Sequence, residues 1–373
     1  MIVIDGSQLE GGGQILRNAA ALAAITRTAV RITNIRAGRK KPGLAAQHLA
    51  GMQLIERVCS GRLAGGLVGS TEVSLTPGDL ACGLYEADTR TAGSCTLLAQ
   101  AALPCLMFAQ PSPQTNLFTS RLVIKGGTDA DMAPPGDYLT HVLAPMLRHL
   151  LGISLTVGLR RRGFFPRGGG IMHVDVTALQ ADQTLPPINL QNRGEVLWVD
   201  VRTFGAGAFH HDTADVLAEC AVRELQLMLG DALDIRVHAV RETPATAVDS
   251  GAGVMLVAHC SSGCILGASN KAAKGVPLSA VASIAAHELA SVLQSGACVD
   301  QWMQDQLILY MALAAGTSFL MCEEPSLHTR TAMVVAESLL PTSFTVTSPP
   351  TSGSPNLWMV TCKGAATKPA TPL

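Results

Sequence analysis

The chain has 373 residues, 48% of them hydrophobic and 15% charged, which is far more apolar material than a disordered chain carries and length enough for two or three domains. Twenty-seven basic residues against 28 acidic ones leave a formal charge of −1, so no global positive field holds a nucleic-acid duplex, and any nucleic-acid contact must be local. Aromatics at 4% beside 36 glycines favour tightly packed helices on sheets, an α/β or α+β chain.

Apolar spacing near 3.6 and β-branched runs predict the elements in order. A strand at Met1–Asp5 leads through a glycine-rich turn to a helix at Gln14–Thr26, then a strand (Val30–Ile35) and a helix (Ala45–Cys59). Gly69–Leu75 reads as strand, Ser94–Phe108 as helix and Leu122–Lys125 as strand, followed by a helix (Pro135–Leu151) and a strand (Ile153–Arg160). This order suggests repeated units of two helices and several strands, without visible self-similarity of residues. From Gly194 the order changes to strand (Val196–Arg202), helix (Thr213–Leu229), two strands (Asp234–Val240, Gly253–His259) and helix (Pro277–Gln294), self-contained enough to be a small domain inserted in a larger one. Asp300–Leu320 and Thr329–Leu340 read as helices, and the tail, TSPPTSGSP and ATKPATPL around a strand at Leu357–Cys362, as loop.

The first residues lack the basic, apolar and cleavage regions of a signal peptide, which predicts an intracellular chain. The uncharged apolar stretch Leu307–Cys322 is too short to span a bilayer and reads as buried core. Ten scattered cysteines are ordinary core residues in a reducing compartment, and Cys260 and Cys264 lack the second pair that a zinc site needs, which leaves a strand-turn-strand. His287-Glu288 is followed by Ser291 rather than a second histidine, so no zincin helix is present.

No Walker loop, dinucleotide fingerprint or nucleophile elbow occurs. The first positive signal is Glu10-Gly11-Gly12-Gly13-Gln14-Ile15-Leu16-Arg17: three glycines between strand and helix aim free N–H groups at an anion. Glu10 at its lip makes sense if a divalent metal bridges carboxylate and phosphate oxygens, and Arg17 extends toward the same cleft. Arg36, Arg39, Lys40 and Lys41 form a basic loop, with Gln47 and His48 just beyond it. A second basic cluster, Arg160-Arg161-Arg162 with Arg167, flanks Gly168-Gly169-Gly170. Two arginine-rich loops, each near a triple glycine, suggest phosphate handling, since guanidinium and N–H groups both match phosphate oxygens. His328, in SLHTRTA after Pro325, falls at a helix start, where position alone fits a capping or core role as well as catalysis. A helix N-terminus favours the neutral imidazole that can act as a nucleophile.

Together these segments resemble the RNA 3′-terminal phosphate cyclases. The resemblance rests on DGSQLEGGGQILR, IRAGRKKPGLAAQHL, ADTRTAGSCTLLAQAALPCLMFA, KGGTDADMAPPGDY, RGFFPRGGG, DQWMQDQLILYMALAAG and SLHTRTA, in one order over nearly the whole chain. It implies a large domain of three repeated sheet-plus-two-helix units, similar to the C-terminal domain of a bacterial initiation factor, with a thioredoxin-like insert. The expected boundaries are 1–189 for the first two repeats and the start of the third, 190–295 for the insert, and 296–373 for completion of the large domain.

The resemblance further implies ATP and a divalent metal (Mg or Mn) as reactants, RNA 3′-phosphate ends as substrate, a histidine that becomes a covalent adenylate, and closure of a 2′,3′-cyclic phosphate. It places the nucleophile at His328, the adenylate pocket at Gln100, Pro134, Trp302, Asp305 and Gln306, phosphate and RNA contacts at Arg17, Arg36, Arg39 and Gln47, and the metal at Glu10. It implies a nuclear location in a eukaryote and a cytoplasmic one otherwise, and leaves the oligomeric state open. Position 302 is Trp where the family commonly has Tyr, the stretch around 110–121 is longer than usual, and SNKAAKGVP is less regular. The rivals are a non-catalytic branch that assists ribosomal RNA processing, which does not keep the nucleophile, and enolpyruvyl transferases, which do not explain RGFFPRGGG or the histidine.

Overall fold

A computed structural model describes residues 1–111, 117–348 and 357–370. The first sheet takes β1 (Ile2–Asp5), β2 (Val30–Thr33), β3 (Arg62–Ala64) and β4 (Val73–Thr76), with helices α1 (Gly13–Thr26) and α2 (Ala46–Val58) between the strands. Its strand order is β1-β2-β4-β3, with β1 and β2 parallel and the other neighbours antiparallel. The second sheet repeats this plan. It uses β5 (Leu84–Asp88), α3 (Cys95–Met107), β6 (Thr119–Gly126), a long helical stretch, β7 (Leu155–Gly163) and β8 (Gly170–Thr177), in the order β5-β6-β8-β7. Again the first two strands are parallel and the rest antiparallel. The helical stretch consists of α4 (Gly136–Tyr138), a π-helical turn (Leu139–Leu143) and α5 (Ala144–Leu151).

After β9 (Asn189–Leu190) the chain builds another sheet from β10 (Val196–Ala206), α6 (Thr213–Leu229), β11 (Ile235–Arg241), β12 (Ala247–Val248), β13 (Gly251–Cys260), β14 (Ile265–Lys271) and α7 (Leu278–Ser295). Its order is β11-β10-β13-β14, while β12 leaves it to pair with β7 on the edge of the second sheet. The chain then completes a third sheet with α8 (Gln301–Leu313), β15 (Thr317–Cys322), α9 (Leu327–Leu339), β16 (Ser343–Thr347) and β17 (Trp358–Lys363). The order β9-β15-β17-β16 matches the other two, with β9 and β15 parallel.

The helices of the three like sheets meet one another: α1 packs on α9, α2 and α3, and α9 also packs on α8. The alanine run Ala19–Ala24 in α1 is almost wholly buried, and its small side chains let neighbouring helices come close. One apolar cluster extends through all four sheets, so the helix starts that carry polar residues are held on a rigid base.

The predicted helix over Asp300–Leu320 ends early. Helix α8 stops at Leu313, Gly316 turns the chain with φ +81°, and Thr317–Cys322 runs as strand β15. A continuous apolar run looks the same as buried helix or buried strand, and the left-handed glycine is what divides it. The Cys260–Cys264 segment is the expected strand-turn-strand, joining β13 to β14, and all ten cysteines are free. Residues 112–116 of the long stretch near 110–121, and 349–356 and 371–373 of the tail, lie outside the described residues.

Candidate active site

Helix α1 starts at the glycine loop, with Gly12 as its N-cap and no side-chain cap on its first N–H groups. Those N–H groups point out of the loop and supply the positive end of the helix dipole. The Glu10 carboxylate folds over Gly12, where any Cβ would collide with it. Its Oε1 pairs with Arg39 Nη2, which also donates to the Glu10 carbonyl at 3.0 Å. The Glu10 N–H donates to Thr331 Oγ1 of α9 at 3.3 Å, which ties the loop to the helix that carries the histidine.

His328 is the second residue of α9, whose N-cap Ser326 accepts from the Thr329 N–H. Buried Gln304 of α8 fixes this start: its amide donates to the Glu323 carbonyl at 2.9 Å and accepts from the Ser326 N–H at 3.0 Å and the Thr329 hydroxyl at 2.6 Å. Across the helix junction, buried Gln14 of α1 donates from Nε2 to Asp305 Oδ2 at 2.7 Å, and its Oε1 lies 3.0 Å from His328 Nδ1. An ionised carboxylate only accepts, so Asp305 fixes the amide, and the amide oxygen in turn requires the proton on Nδ1. The lone pair of His328 is then on Nε2.

Partial burial lowers the His328 pKa, with Arg17 and Arg39 acting in the same direction and Glu10 opposing them. The imidazole is therefore neutral at pH 7, for electrostatic reasons beyond the helix end alone. Burial lowers Arg17's pKa as well, against the pull of Asp305 and Glu10. Asp305 is pushed up by burial to about 7, against Arg17 and the Gln14 hydrogen bond.

The structure gathers Glu10, Arg17, Arg39, Asp305 and His328 around Gln14. Arg17, Gln100, Asp305 and Gln306 line one small cavity of about 30 Å³ together with Gln14. Trp302 opens instead on a larger cavity of about 190 Å³, with Ala133, Pro135, Asn270 and Lys271 in its wall. Pro134 is buried and its carbonyl accepts from Thr96 Oγ1 at 2.8 Å. Gln47 accepts the Ser94 N–H at 3.1 Å, and Arg36 donates to the Gly43 carbonyl at 2.8 Å within its own loop. His48 accepts the Ala45 N–H, and burial pushes it down to about 4, which makes it a neutral cap.

The second basic cluster departs from expectation. Arg162 is buried, bonded to both oxygens of Asp137 at 2.5 and 3.1 Å and to Glu242 at 2.7 Å, with its guanidinium 3.8 Å from the Phe204 ring centre. It ties the second sheet to the β10–β14 sheet and is not available to phosphate. Gln14, Gln304 and Thr331 carry site geometry that sequence reasoning did not assign. Gln14 was legible as part of EGGGQILR, one turn beyond Glu10, whereas Gln304 and Thr331 had no distinguishing signal.

Glu10 Oε2 is buried with no hydrogen-bond partner among the described residues, beside the uncapped helix start, which suits a hard cation. Among the described residues no group of three or more His, Cys, Asp or Glu could hold a metal. Glu10 therefore fits as one protein ligand, with the remaining positions left to phosphate oxygens and water.

Comparison with known proteins identifies the family. A family model described as RNA 3′-terminal phosphate cyclase matches residues 8–346. The chain is 37% identical over 365 residues to the Drosophila melanogaster RNA 3′-terminal phosphate cyclase, covering 98% of this chain and 96% of that one. It is 38% identical over 343 residues to the protein of that name from Hyperthermus butylicus, covering 91% and 92%. The family shared by an insect and an archaeon is thus the family of this chain too, which belongs to the RNA 3′-terminal phosphate cyclases.

Proposed function

We propose that this protein is an ATP-dependent ligase-type enzyme that converts an RNA 3′-terminal phosphate to a 2′,3′-cyclic phosphodiester. The observation that carries the reading is the Asp305–Gln14–His328 relay, which leaves Nε2 of a neutral imidazole unprotonated beside Arg17 and Arg39. Nε2 attacks the α-phosphorus of ATP, an N–P bond forms, and the P–O bond to diphosphate breaks. An oxygen of the RNA 3′-phosphate then attacks the adenylate phosphorus and breaks the N–P bond. Finally the vicinal 2′-OH loses its proton as it attacks the 3′-phosphorus, and AMP departs.

Each chain residue has a matching task. The uncapped N–H groups of α1, with Arg17 and Arg39, neutralise oxygens on the reacting phosphorus; Arg36 and Gln47 hold the RNA phosphate. Glu10 holds the divalent metal, which neutralises phosphate charge when bound. Trp302 stacks on adenine, and Gln100, Pro134 and Gln306 line the adenylate pocket. In this reading the three like-ordered sheets are copies of a unit similar to the C-terminal domain of a bacterial initiation factor, and residues 190–295 form a thioredoxin-like insert.

The test is transfer of label from α-labelled ATP to the protein. The wild type should acquire an acid-labile, alkali-stable label, and His328→Asn should acquire none while melting at the same temperature. Label retained by the folded variant assigns the nucleophile elsewhere and overturns the mechanism.

A further inference from the structure

RGFFPRGGG is only half accounted for by Arg162. Its tip carries Phe165, 82% exposed, and Arg167, whose side chain is 74% exposed and 3.4 Å from Asp249. A large aromatic ring held in water beside a cation is the surface composition of a base-stacking platform. The tip abuts a second loop, since a Cβ on Gly168 would meet the Thr91 carbonyl. That second loop presents Arg90 at φ 54°, a left-handed backbone that a side-chain-bearing residue rarely adopts, and Arg90's guanidinium has no partner among the described residues.

Behind Arg90 a groove of about 560 Å³ runs between α2 and β5. Its cations are Arg57, Arg90 and Lys125, and its carboxylates are Glu86 and Asp88. Both carboxylates have local partners: Lys125 lies 3.9 Å from Glu86, and Asp88 accepts the Arg90 N–H at 2.7 Å. The groove and the active site share helix α2 as a wall. Gln47, at the start of α2, accepts the Ser94 N–H from the end of the Arg90 loop, and it also lines a separate cavity of about 10 Å³ with Gly13, Arg17 and His48. From Gln47 to Arg57 the helix spans about 15 Å at its usual rise, the scale of a few nucleotides of single strand.

We propose that Phe165, Arg167 and Arg90, with the groove that leads past Arg57 and Lys125, bind the RNA strand 5′ of its last two nucleotides. Phe165 stacks on a base and the arginines contact backbone phosphates. The inference rests on the cyclase reading, because that reading places the terminal phosphate at Arg36 and Gln47, by the start of α2, and so the strand that precedes it along α2.

The experiment measures the affinity of the ATP-free protein for a fluorescent single-stranded RNA ending in a 3′-phosphate, and for a dinucleotide with the same end. Phe165→Ala should weaken binding of the longer RNA about ten- to a hundredfold, the effect of one lost base–aromatic stack. Arg90→Ala and Arg167→Ala should each reduce the slope of log affinity against log salt by roughly 0.7. Affinity for the dinucleotide, and labelling from α-labelled ATP without RNA, should not change. Unchanged affinity for the longer RNA in all three variants overturns the proposal, and so does an equal loss on the dinucleotide, which would move these residues to the terminal-phosphate site. A wild type that binds RNA as described but takes no label refutes the cyclase reading and leaves the surface standing.

Discussion

Gln14 Oε1 on α1 lies 3.0 Å from His328 Nδ1 on α9, so two helices from opposite ends of the chain jointly set the tautomer of one imidazole. Without that acceptor, the proton can occupy either ring nitrogen and the fraction of imidazole with a free Nε2, the form the proposed mechanism uses, falls. Gln14→Ala should slow adenylation roughly tenfold, the scale of one net hydrogen bond expressed in the transition state, with little change in the ATP requirement. Single-turnover labelling at saturating ATP checks this, and an unchanged rate would show that the relay does not orient the nucleophile.

Asp305 makes the relay pH-dependent. Its pKa is raised from 3.8 to about 7, so below that value the carboxyl is protonated and becomes a donor. Gln14 can then turn its amide, present NH₂ to His328 and shift the imidazole proton to Nε2. Adenylation should therefore fall as pH drops through about 7, before His328 itself protonates, since its own pKa is lowered. Asp305→Asn should flatten that limb. Stability should move the opposite way. A group whose folded pKa is raised contributes stability that is fully present below its unfolded value of 3.8 and is lost as pH rises through about 7. Relative to Asp305→Asn, the wild type should lose up to about 1.4 kcal/mol per pH unit across this window. Melts of both proteins at several pH values decide it, and parallel curves would refute a raised Asp305.

The helices of this site were legible and several strands were not, for a physical reason. α1, α2, α3 and α9 carry amphipathic periods and breaks at glycine or proline, so their limits fell within two residues. The strands β5 (Leu84–Asp88), β8 (Gly170–Thr177) and β16 (Ser343–Thr347) are short or mixed in composition, and their burial depends on neighbours far along the chain. The same non-locality hid Gln304 and Thr331, which matter because α8 and α9 cross beside the glycine loop. It also misled the reading of Arg162, whose carboxylate partners come from residues 137 and 242.

Glu10 offers a direct test of the proposed metal site. Its buried Oε2 has no hydrogen-bond partner among the described residues, and Glu10→Gln keeps the shape while removing the charge. The variant should need about ten to a hundred times more Mg²⁺ or Mn²⁺ for half-maximal labelling, the affinity change of about 1.4–2.8 kcal/mol expected for losing an anionic ligand to a hard cation. Its melting temperature without metal should be within a few degrees of wild type. A metal requirement that does not move would remove Glu10 from the ligand set.

Trp302 separates base stacking from core packing. It is half-buried at the start of α8 and lines the cavity that also holds Ala133 and Pro135. Trp302→Ala should raise the ATP needed for adenylation by roughly ten- to a hundredfold, as one base–aromatic stack is worth about 1–3 kcal/mol. Emptying a core site would instead cost about 3–5 kcal/mol of folding free energy at any ATP concentration. An ATP titration beside a thermal melt distinguishes them, and a destabilised variant with an unchanged ATP requirement rules out stacking.

Asp300 holds that tryptophan in place from a distance. Its carboxylate accepts from the Trp302 and Met303 N–H groups at 2.9 Å each, from Gly267 N–H of β14 at 2.7 Å and from the Tyr138 hydroxyl at 2.8 Å. One buried side chain thus joins the start of α8 to the β10–β14 sheet and to the helical stretch of the second sheet. Burial pushes its pKa up to about 6 against those hydrogen bonds, so the ionised form is retained at pH 7. Asp300→Ala would strand three N–H groups and a phenol away from water, at a cost of about 2–4 kcal/mol. Asp300→Asn keeps one acceptor oxygen but turns an NH₂ toward a donor, so it should be milder in the melt while still loosening the first turn of α8. Both variants should raise the ATP requirement, because Trp302 moves with that turn, and leave the affinity of the ATP-free protein for RNA unchanged. If Asp300→Asn melts several degrees lower yet labels at the wild-type ATP concentration, Asp300 stabilises the junction without positioning Trp302.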